Sequence, residues 1–342
     1  MHSSPRITTW LVRLIAVGIL GARASAQVSD FELRERAFSA VRVAQTQTDY
    51  RAVQVRRVRG SFSGLGRGGE WVSAVETAVH RGASGSSPEL FALELTGFEG
   101  VSMSETQLQQ RRRLYQGQAG YLFRYQSFTV HDARVAAANY SLFDLGAGAT
   151  HAGRTCNRIA VVSRTLDRPS WLLDLDAATS LPLYCGEFTP VGALVSELEV
   201  LCVNYGAAAQ IPAGSAWAWT PRMGVQHFAT VSAAAAGAPG LTAIAPDIGA
   251  GYRFDHARLI TDPLTTDQSV VSVHHDGIDS LMFRQRTQPQ ISDPHHVLKV
   301  FTDAGVTQCM FQHKRTEMLV IGRCTLVREI AKRIYVQAVA TL

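Results

Sequence analysis

Between residues 120 and 206 the chain repeats one kind of segment. "GYLFRYQSFTVHDA", "NRIAVVSR", "SWLLDLD", "LPLYCGEF" and "LVSELEVLCVNYG" follow one another, each short and rich in β-branched or aromatic residues. Gly, Pro, Asp and Thr occupy the breaks. This regular spacing predicts an antiparallel meander. "YRAVQVRRVRGSF", "EWVSAVETAVHRG" and "ELFALELTGFEG" lie upstream and carry the same partial alternation. Two helices are expected around them. Ser29 and Glu32 form a capping box at the head of residues 29–46, where Phe31, Ala37, Phe38, Val41 and Ala44 make an apolar stripe. Residues 104–116 make a second helix, with Ser104 as N-cap and Leu108 and Tyr115 facing in.

The first residues belong to targeting. Arg6 precedes and Arg13 enters the apolar run "LVRLIAVGIL", and Ala24-Ser25-Ala26 forms a small-x-small site before Gln27. Residues 1–26 are therefore expected to be a cleaved signal peptide, placing the mature protein in the periplasm. The apolar run is shorter than the roughly 20 residues a membrane span needs. The formal charge of +5 falls to +2 when Arg6, Arg13 and Arg23 leave with that segment. Such a balance, outside the cell membrane, speaks against nucleic acid as a partner.

The remainder divides in two. Residues 27–205 form one domain and residues 206–240, dominated by Ala, Gly and Pro, read as a linker. A second domain follows over 241–342. Within it "DPHHVLKVFTDAG" reads as a helix running from Pro294 to Gly305, and "TLVREIAKRI" as a helix with Leu326, Ile330 and Ile334 on one face.

Candidate chemistry is sparse. His274 and His275 stand beside Asp276-Gly277, but Asp-Gly between two β-rich runs signals a two-residue hairpin. That turn sets His274 opposite Asp279 and His275 opposite Ile278. Adjacent strand residues point to opposite faces, so the two histidines do not share a metal. His295 and His296 open a helix and diverge. Asp174 and Asp176 share a strand face as a paired acid and base would, yet Asp176 reads better as the opening of the turn "DAATS". No G-x-S-x-G elbow occurs, and "GLGRGG" precedes a strand rather than a helix. No metal or cofactor is expected. The five cysteines lack CxxC spacing; local bridges Cys185–Cys202 and Cys309–Cys324 are one scheme, and reduced buried thiols are another. The basic runs are either solvated faces or contacts for an acidic peptide or anionic headgroup, with Arg56, Arg57, Arg111 and Arg112 the candidates.

Residues 151–200 resemble the core of the MucB/RseB family. The likeness lies in Ala152-Gly153-Arg154 entering a strand, Leu175-Asp176 before a turn, Thr179-Ser180-Leu181-Pro182-Leu183, and Gly192 in the next hairpin. "GYRF" (251–254), "HHDGIDSLMF" and "MLVIGRCTLVREIAKRI" resemble parts of the family's C-terminal domain. The chain departs at the family's Thr-Gly turn, which here is Thr179-Ser180. The resemblance implies an α+β protein: a strongly curved antiparallel sheet, or half-barrel, closed by helices over an apolar cavity, then a smaller α+β domain. Val53, Val55, Leu90, Leu93 and Leu95, with Val58 and Ala92, are the expected cavity lining. The implied role is a periplasmic negative regulator of an extracytoplasmic-function sigma factor. It would bind the periplasmic part of an anti-sigma factor and sense lipid or lipopolysaccharide. A homodimer is left open. The alternatives are a periplasmic lipid or lipoprotein carrier and an exported metal-dependent hydrolase.

Overall fold

The computed structural model describes residues 31–59, 71–82, 90–99, 104–110, 128–206, 226–249, 251–261, 267–287, 299–303, 306–323 and 326–341. The expected signal peptide, Arg111, Arg112, Cys324, His295 and His296 lie outside them.

Helix α1 (Phe31–Gln47) forms along the expected stripe, burying Phe38, Val41 and Ala44; Ser29 of the expected capping box lies outside the described residues. Residues 105–110 are also helical. The first sheet holds β1 (Tyr50–Arg59), β2 (Trp71–Arg81), β3 (Leu90–Phe98), β4 (Tyr140–His151), β5 (Arg154–Ser163), β6 (Ser170–Asp176), β7 (Pro182–Phe188) and β8 (Leu194–Tyr205). Its order is β3-β2-β1-β8-β7-β6-β5-β4, antiparallel throughout. The meander and the β1–β2–β3 unit thus meet at β1–β8, and the curved sheet stays open between β3 and β4. Val161, Trp171, Leu173 and Cys185 on its concave face pack against Phe38 and Val41 of α1 and against α2 (Ala133–Asn139). Asp132 caps α2, its Oδ1 accepting from Val135 N at 3.0 Å.

The second domain is a seven-stranded antiparallel sheet. Its strands are β9 (Gln226–Phe228), β10 (Arg253–Thr261), β11 (Gln268–His275), β12 (Ser280–Thr287), β13 (Lys299–Asp303), β14 (Val306–His313) and β15 (Thr316–Gly322), in the order β13-β14-β15-β12-β11-β10-β9. Helix α4 (Val327–Thr341) lays Val327, Ile330, Ile334 and Ala338 on Leu281, Phe283, Phe311 and Met318. Each such large side chain contributes about 1.5–3 kcal/mol by leaving water. A short helix α3 (Val231–Ala235) packs on β10 through Val231 and Ala234, in one cluster with Ala257 and Val270.

Three expectations are corrected here. The segment read as a helix from Pro294 contains a strand, β13, because Val300 to Thr302 pair with β14 and tertiary pairing outweighs the helix signal. Residues 226–240 of the expected linker are built into the second domain, through β9 and α3. The Asp276-Gly277 hairpin has a longer loop than a two-residue turn. His275 pairs with Ser280 and His274 with Leu281, so Asp276–Asp279 all lie in the loop. Asp276 explains this: its Oδ1 accepts from Ile278 N at 3.1 Å and Asp279 N at 2.8 Å, an Asx turn that replaces the tighter one. Among the described residues no helix is long and apolar enough to cross a membrane.

Candidate functional site

A cavity lies between α1 and the concave face of the first sheet. Ala52, Gln54 and Arg56 of β1, Leu93 of β3, Leu183 and Cys185 of β7, and the stretch Phe128–Val130 line it. Its free volume is about 130 Å³. That is the scale of an apolar cavity holding one benzene, roughly 150 Å³, and well below the roughly 300–1,000 Å³ of pockets that bury a drug-sized ligand. A chain end or a small apolar group fits as the walls stand; seating more of an acyl chain inside requires a wall to move.

The wall carries one polar strip. Gln54 Nε2 donates to Glu76 Oε2 at 2.7 Å and Arg56 Nε donates to Glu76 Oε1 at 3.0 Å. Arg56 is 3% exposed and Glu76 is fully buried. The charges answer each other; Gln45, Thr46, His80 and Thr129 add further polar groups to a lining that is otherwise apolar.

This strip accounts for two misplaced expectations. Strand residues alternate, so with Ala52, Gln54 and Arg56 on the lining, Val53 and Val55 point to the opposite face, where Val55 is nonetheless fully buried. Val53 sits there opposite Cys202 and is 36% exposed. The rule that valines point inward fails because the inward polar residues satisfy one another. Arg56, expected as an outward contact, is for the same reason a buried wall residue. Arg57 does face outward, engaged by Glu199 at 3.0 Å and Glu99 at 3.6 Å. Leu93 lines the cavity. Leu95 is buried opposite Glu76, off the lining, and Leu90 opens β3 opposite Arg81.

Cys185 and Cys202 are free thiols on different faces. Cys185 pairs with Leu198, four residues from Cys202, so about 13 Å of strand separates them; a disulfide tolerates a Cα separation of about 7 Å at most. Burial pushes the Cys185 thiol up to about 12, which makes it an inert lining group. Cys309 is a free, buried thiol in the core under α4.

The paired aspartates are structural. Arg158 grips Asp174 with two bonds of 2.7 Å, and His151 Nε2 lies 2.8 Å from it. Burial works against the Asp174 carboxylate, but the His151 and Arg158 hydrogen bonds outweigh it and hold the group below its usual range. Asp176 opens its turn, accepting from Ala178 N at 2.9 Å, and is held by Arg154 and Tyr205.

The opening of the C-terminal hairpin forms the second feature. Its loop enters the first domain. Asp276 is fully buried; its Oδ2 accepts from Tyr140 Oη at 2.7 Å and Arg168 Nη1 at 2.9 Å, and its backbone O accepts from Asn139 Nδ2 at 2.7 Å. Gly277 O accepts from His131 N at 2.8 Å and Asp132 N at 3.3 Å. Ile278 joins the first domain's core. Asp279 accepts from Tyr252 Oη at 2.7 Å, and Arg168 lies over the Tyr252 ring at 5.1 Å. A second tie joins Arg323 to Glu187 at 3.3 Å. Burial raises the Asp276 and Glu187 carboxyls despite these cations. Asp279 is pushed up to about 7, by burial first and then by Asp276 beside it.

The two histidines part company, as the strand geometry requires. His275 stacks on His131 at 5.3 Å across the junction, while His274 meets Ser272 Oγ at 3.2 Å and Phe254 edge-on. The expected His274–Asp279 pair does not form. Among the described residues no three His, Cys, Asp or Glu side chains converge as metal ligands would. Sequence reasoning missed the junction. Arg168 and Asp276 are 108 residues apart, and nothing in either segment marks the other.

No family model matches the chain, and no curated protein matches it. Solved structures do. MucB in complex with MucA(peri) aligns at a TM-score of 0.52 and 16% identity, covering 88% of this chain and 96% of that one. The chain has a MucB-type fold. The Pseudomonas aeruginosa MucA/MucB complex aligns over 87% of this chain and 96% of that one, at 17% identity and a TM-score of 0.48.

Proposed function

We propose that the chain is an exported regulator of the MucB/RseB kind. In this reading it resides in the periplasm after loss of residues 1–26. It binds the periplasmic part of a membrane-spanning anti-sigma factor, holding down an extracytoplasmic-function sigma factor, and takes the acyl chain of a lipid or lipopolysaccharide into its cavity. One observation carries the reading: a cavity-bearing curved sheet with a second domain docked onto it, an architecture shared over 88% of the chain with MucB, which has been crystallised with MucA(peri). A lipid or lipoprotein carrier needs the curved sheet alone. Here a buried charge network locks a further domain onto it, which favours regulation over carriage. A lining made mostly of apolar side chains, with its buried ion pair satisfied, suits a ligand held by burial.

Two measurements test this. Calorimetric titration with the periplasmic segment of the anti-sigma factor from the same cell is expected to give a one-to-one complex; no binding overturns the regulatory role. Native mass spectrometry of protein taken from its own periplasm is expected to show a co-purifying lipid. A stoichiometric metal without lipid would return the hydrolase reading. Leu93→Asp places a charge in the cavity and is expected to abolish acyl-chain binding while the protein stays monodisperse. Unchanged binding would move the ligand elsewhere.

A further inference from the structure

Five consecutive residues join the cavity to the domain junction. Phe128, Thr129 and Val130 line the cavity. The next two, His131 and Asp132, donate their backbone N–H groups to Gly277 O. The stretch belongs to no strand. Gln45 of α1 clamps it, with Nε2 donating to Phe128 O at 2.8 Å and Oε1 accepting from Val130 N at 3.0 Å. Facing walls on β1, β7 and β8 belong to strands hydrogen-bonded to neighbours on both sides, while β3, which adds Leu93, is the sheet's edge and pairs with β2 alone. Moving an inner strand breaks two ladders; moving the strap breaks side-chain bonds, those of Gln45 and of Ser280 Oγ to His131 Nε2 at 2.9 Å among them. An occupant too large for the cavity therefore meets its least-tied walls at β3 and at the strap, and at the strap it bears on Phe128 and Val130.

The far end of the strap has no slack. A Cβ on Gly277 would stand 2.2 Å from Ala136 N, so the hairpin loop rests directly on the first turn of α2. Ile278 shares one apolar cluster with Phe128 and Val130. A shift at the cavity end is thus felt by both the hydrogen bonds and the packing that dock the loop.

We propose that Phe128–Asp132 is a mechanical relay through which an acyl chain entering the cavity loosens the docking of the C-terminal hairpin loop. The inference rests on the lipid-binding reading of the cavity. The occupant pushes Phe128 and Val130 outward, the His131 and Asp132 N–H groups turn away from Gly277 O, and Asp276 loses its alignment with Tyr140 and Arg168. Coupling between sites is reciprocal, so weakening the docking by other means tightens acyl-chain binding by the same factor.

Myristate is the probe, titrated calorimetrically into the full mature chain. Gly277→Ala wedges the loop off α2, and Asp276→Asn removes the charge while keeping the shape. Both variants are expected to bind myristate about fivefold more tightly than the wild type, the low end of the usual range for coupled sites. Myristate is also expected to speed amide exchange at residues 276–279 of the wild type. Equal or weaker affinity in Asp276→Asn, with its circular dichroism unchanged, overturns the relay and leaves the cavity standing. No myristate binding to the wild type overturns the relay and the lipid reading together.

Discussion

The cavity wall and the domain junction both bury charge, and they balance it differently. At the wall one guanidinium meets one carboxylate, and Gln54 answers the remaining carboxylate oxygen. At the junction three buried carboxyls, Asp276, Asp279 and Glu187, face two guanidinium groups, Arg168 and Arg323. A buried group without a counter-charge neutralises itself by keeping its proton. Burial and the neighbouring Asp276 push Asp279 up to about 7, and its Oδ1 has no hydrogen-bond partner. The wall is a fixed fitting. The junction carries an excess carboxyl and loosens as that carboxyl gives up its proton.

The largest test of this contrast removes a cation from each region. Arg168→Met leaves Asp276 buried without its partner and is expected to cost about 3–5 kcal/mol, seen as early melting of the C-terminal domain in calorimetry. Removing whole pairs makes the comparison like for like. Arg56→Met with Glu76→Gln takes both charges from the wall and is expected to cost about 1 kcal/mol or less, whereas Arg168→Met with Asp276→Asn leaves Asp279 still buried at the junction and is expected to cost more. Equal losses from the two pair removals would end the distinction.

Next in size is the pH response. Asp279 holds its proton more tightly in the folded protein than at the ordinary value of about 3.9. Its burial therefore costs nothing below about pH 4, costs progressively more up to about 7, and levels off above. His274 opposes this on the acid side. Burial first, then His275, brings it down to about 4, so it costs stability as pH falls from 6.5 toward 4. The two slopes flatten the wild-type curve. The difference between Asp279→Asn and wild type isolates the carboxyl: the variant is expected to be more stable at pH 8, on the order of 2 kcal/mol, with the gain vanishing toward pH 4. Denaturant titrations at four pH values measure it; a gain independent of pH would place the proton elsewhere.

The sequence was legible where a local rule sufficed. The α1 and α4 stripes, the meander, and Asp176 as a turn opener rest on periodicity and turn chemistry within a dozen residues. It misled where a distant partner inverted the rule. Arg56 faces inward because Glu76, twenty residues away, waits there. Val53 and Val55 then take the opposite face by alternation alone. The Asp-Gly loop opened beyond two residues because the Asp276 carboxylate has backbone, Tyr140 and Arg168 to satisfy at once. Cavity and junction are products of pairing across the chain, so their key residues carry no mark in a single sequence.

The smallest test separates local stability from the junction. Ser180 sits at φ +62° in the β6–β7 turn, the left-handed region that costs a residue with a Cβ roughly 1–2 kcal/mol. The turn is otherwise well made: Ser180 N donates to Asp176 O at 2.8 Å and Asp176 N to Leu181 O at 2.9 Å. The family that the sequence resembles has glycine at this position. Ser180→Gly relieves the Cβ, and the greater freedom of glycine in the unfolded chain offsets part of the gain, leaving about 0.5–1 kcal/mol of added stability, a few degrees in melting temperature. Ser180 touches neither Gly277 nor the Phe128–Asp132 strap in the contacts of its turn. Its gain is therefore expected to be the same at pH 5 and pH 8, and to leave myristate affinity where it was. A stabilised turn that also shifted the pH slope would mean that the first domain and the junction respond as one body, and the contrast between fixed wall and conditional junction would fail.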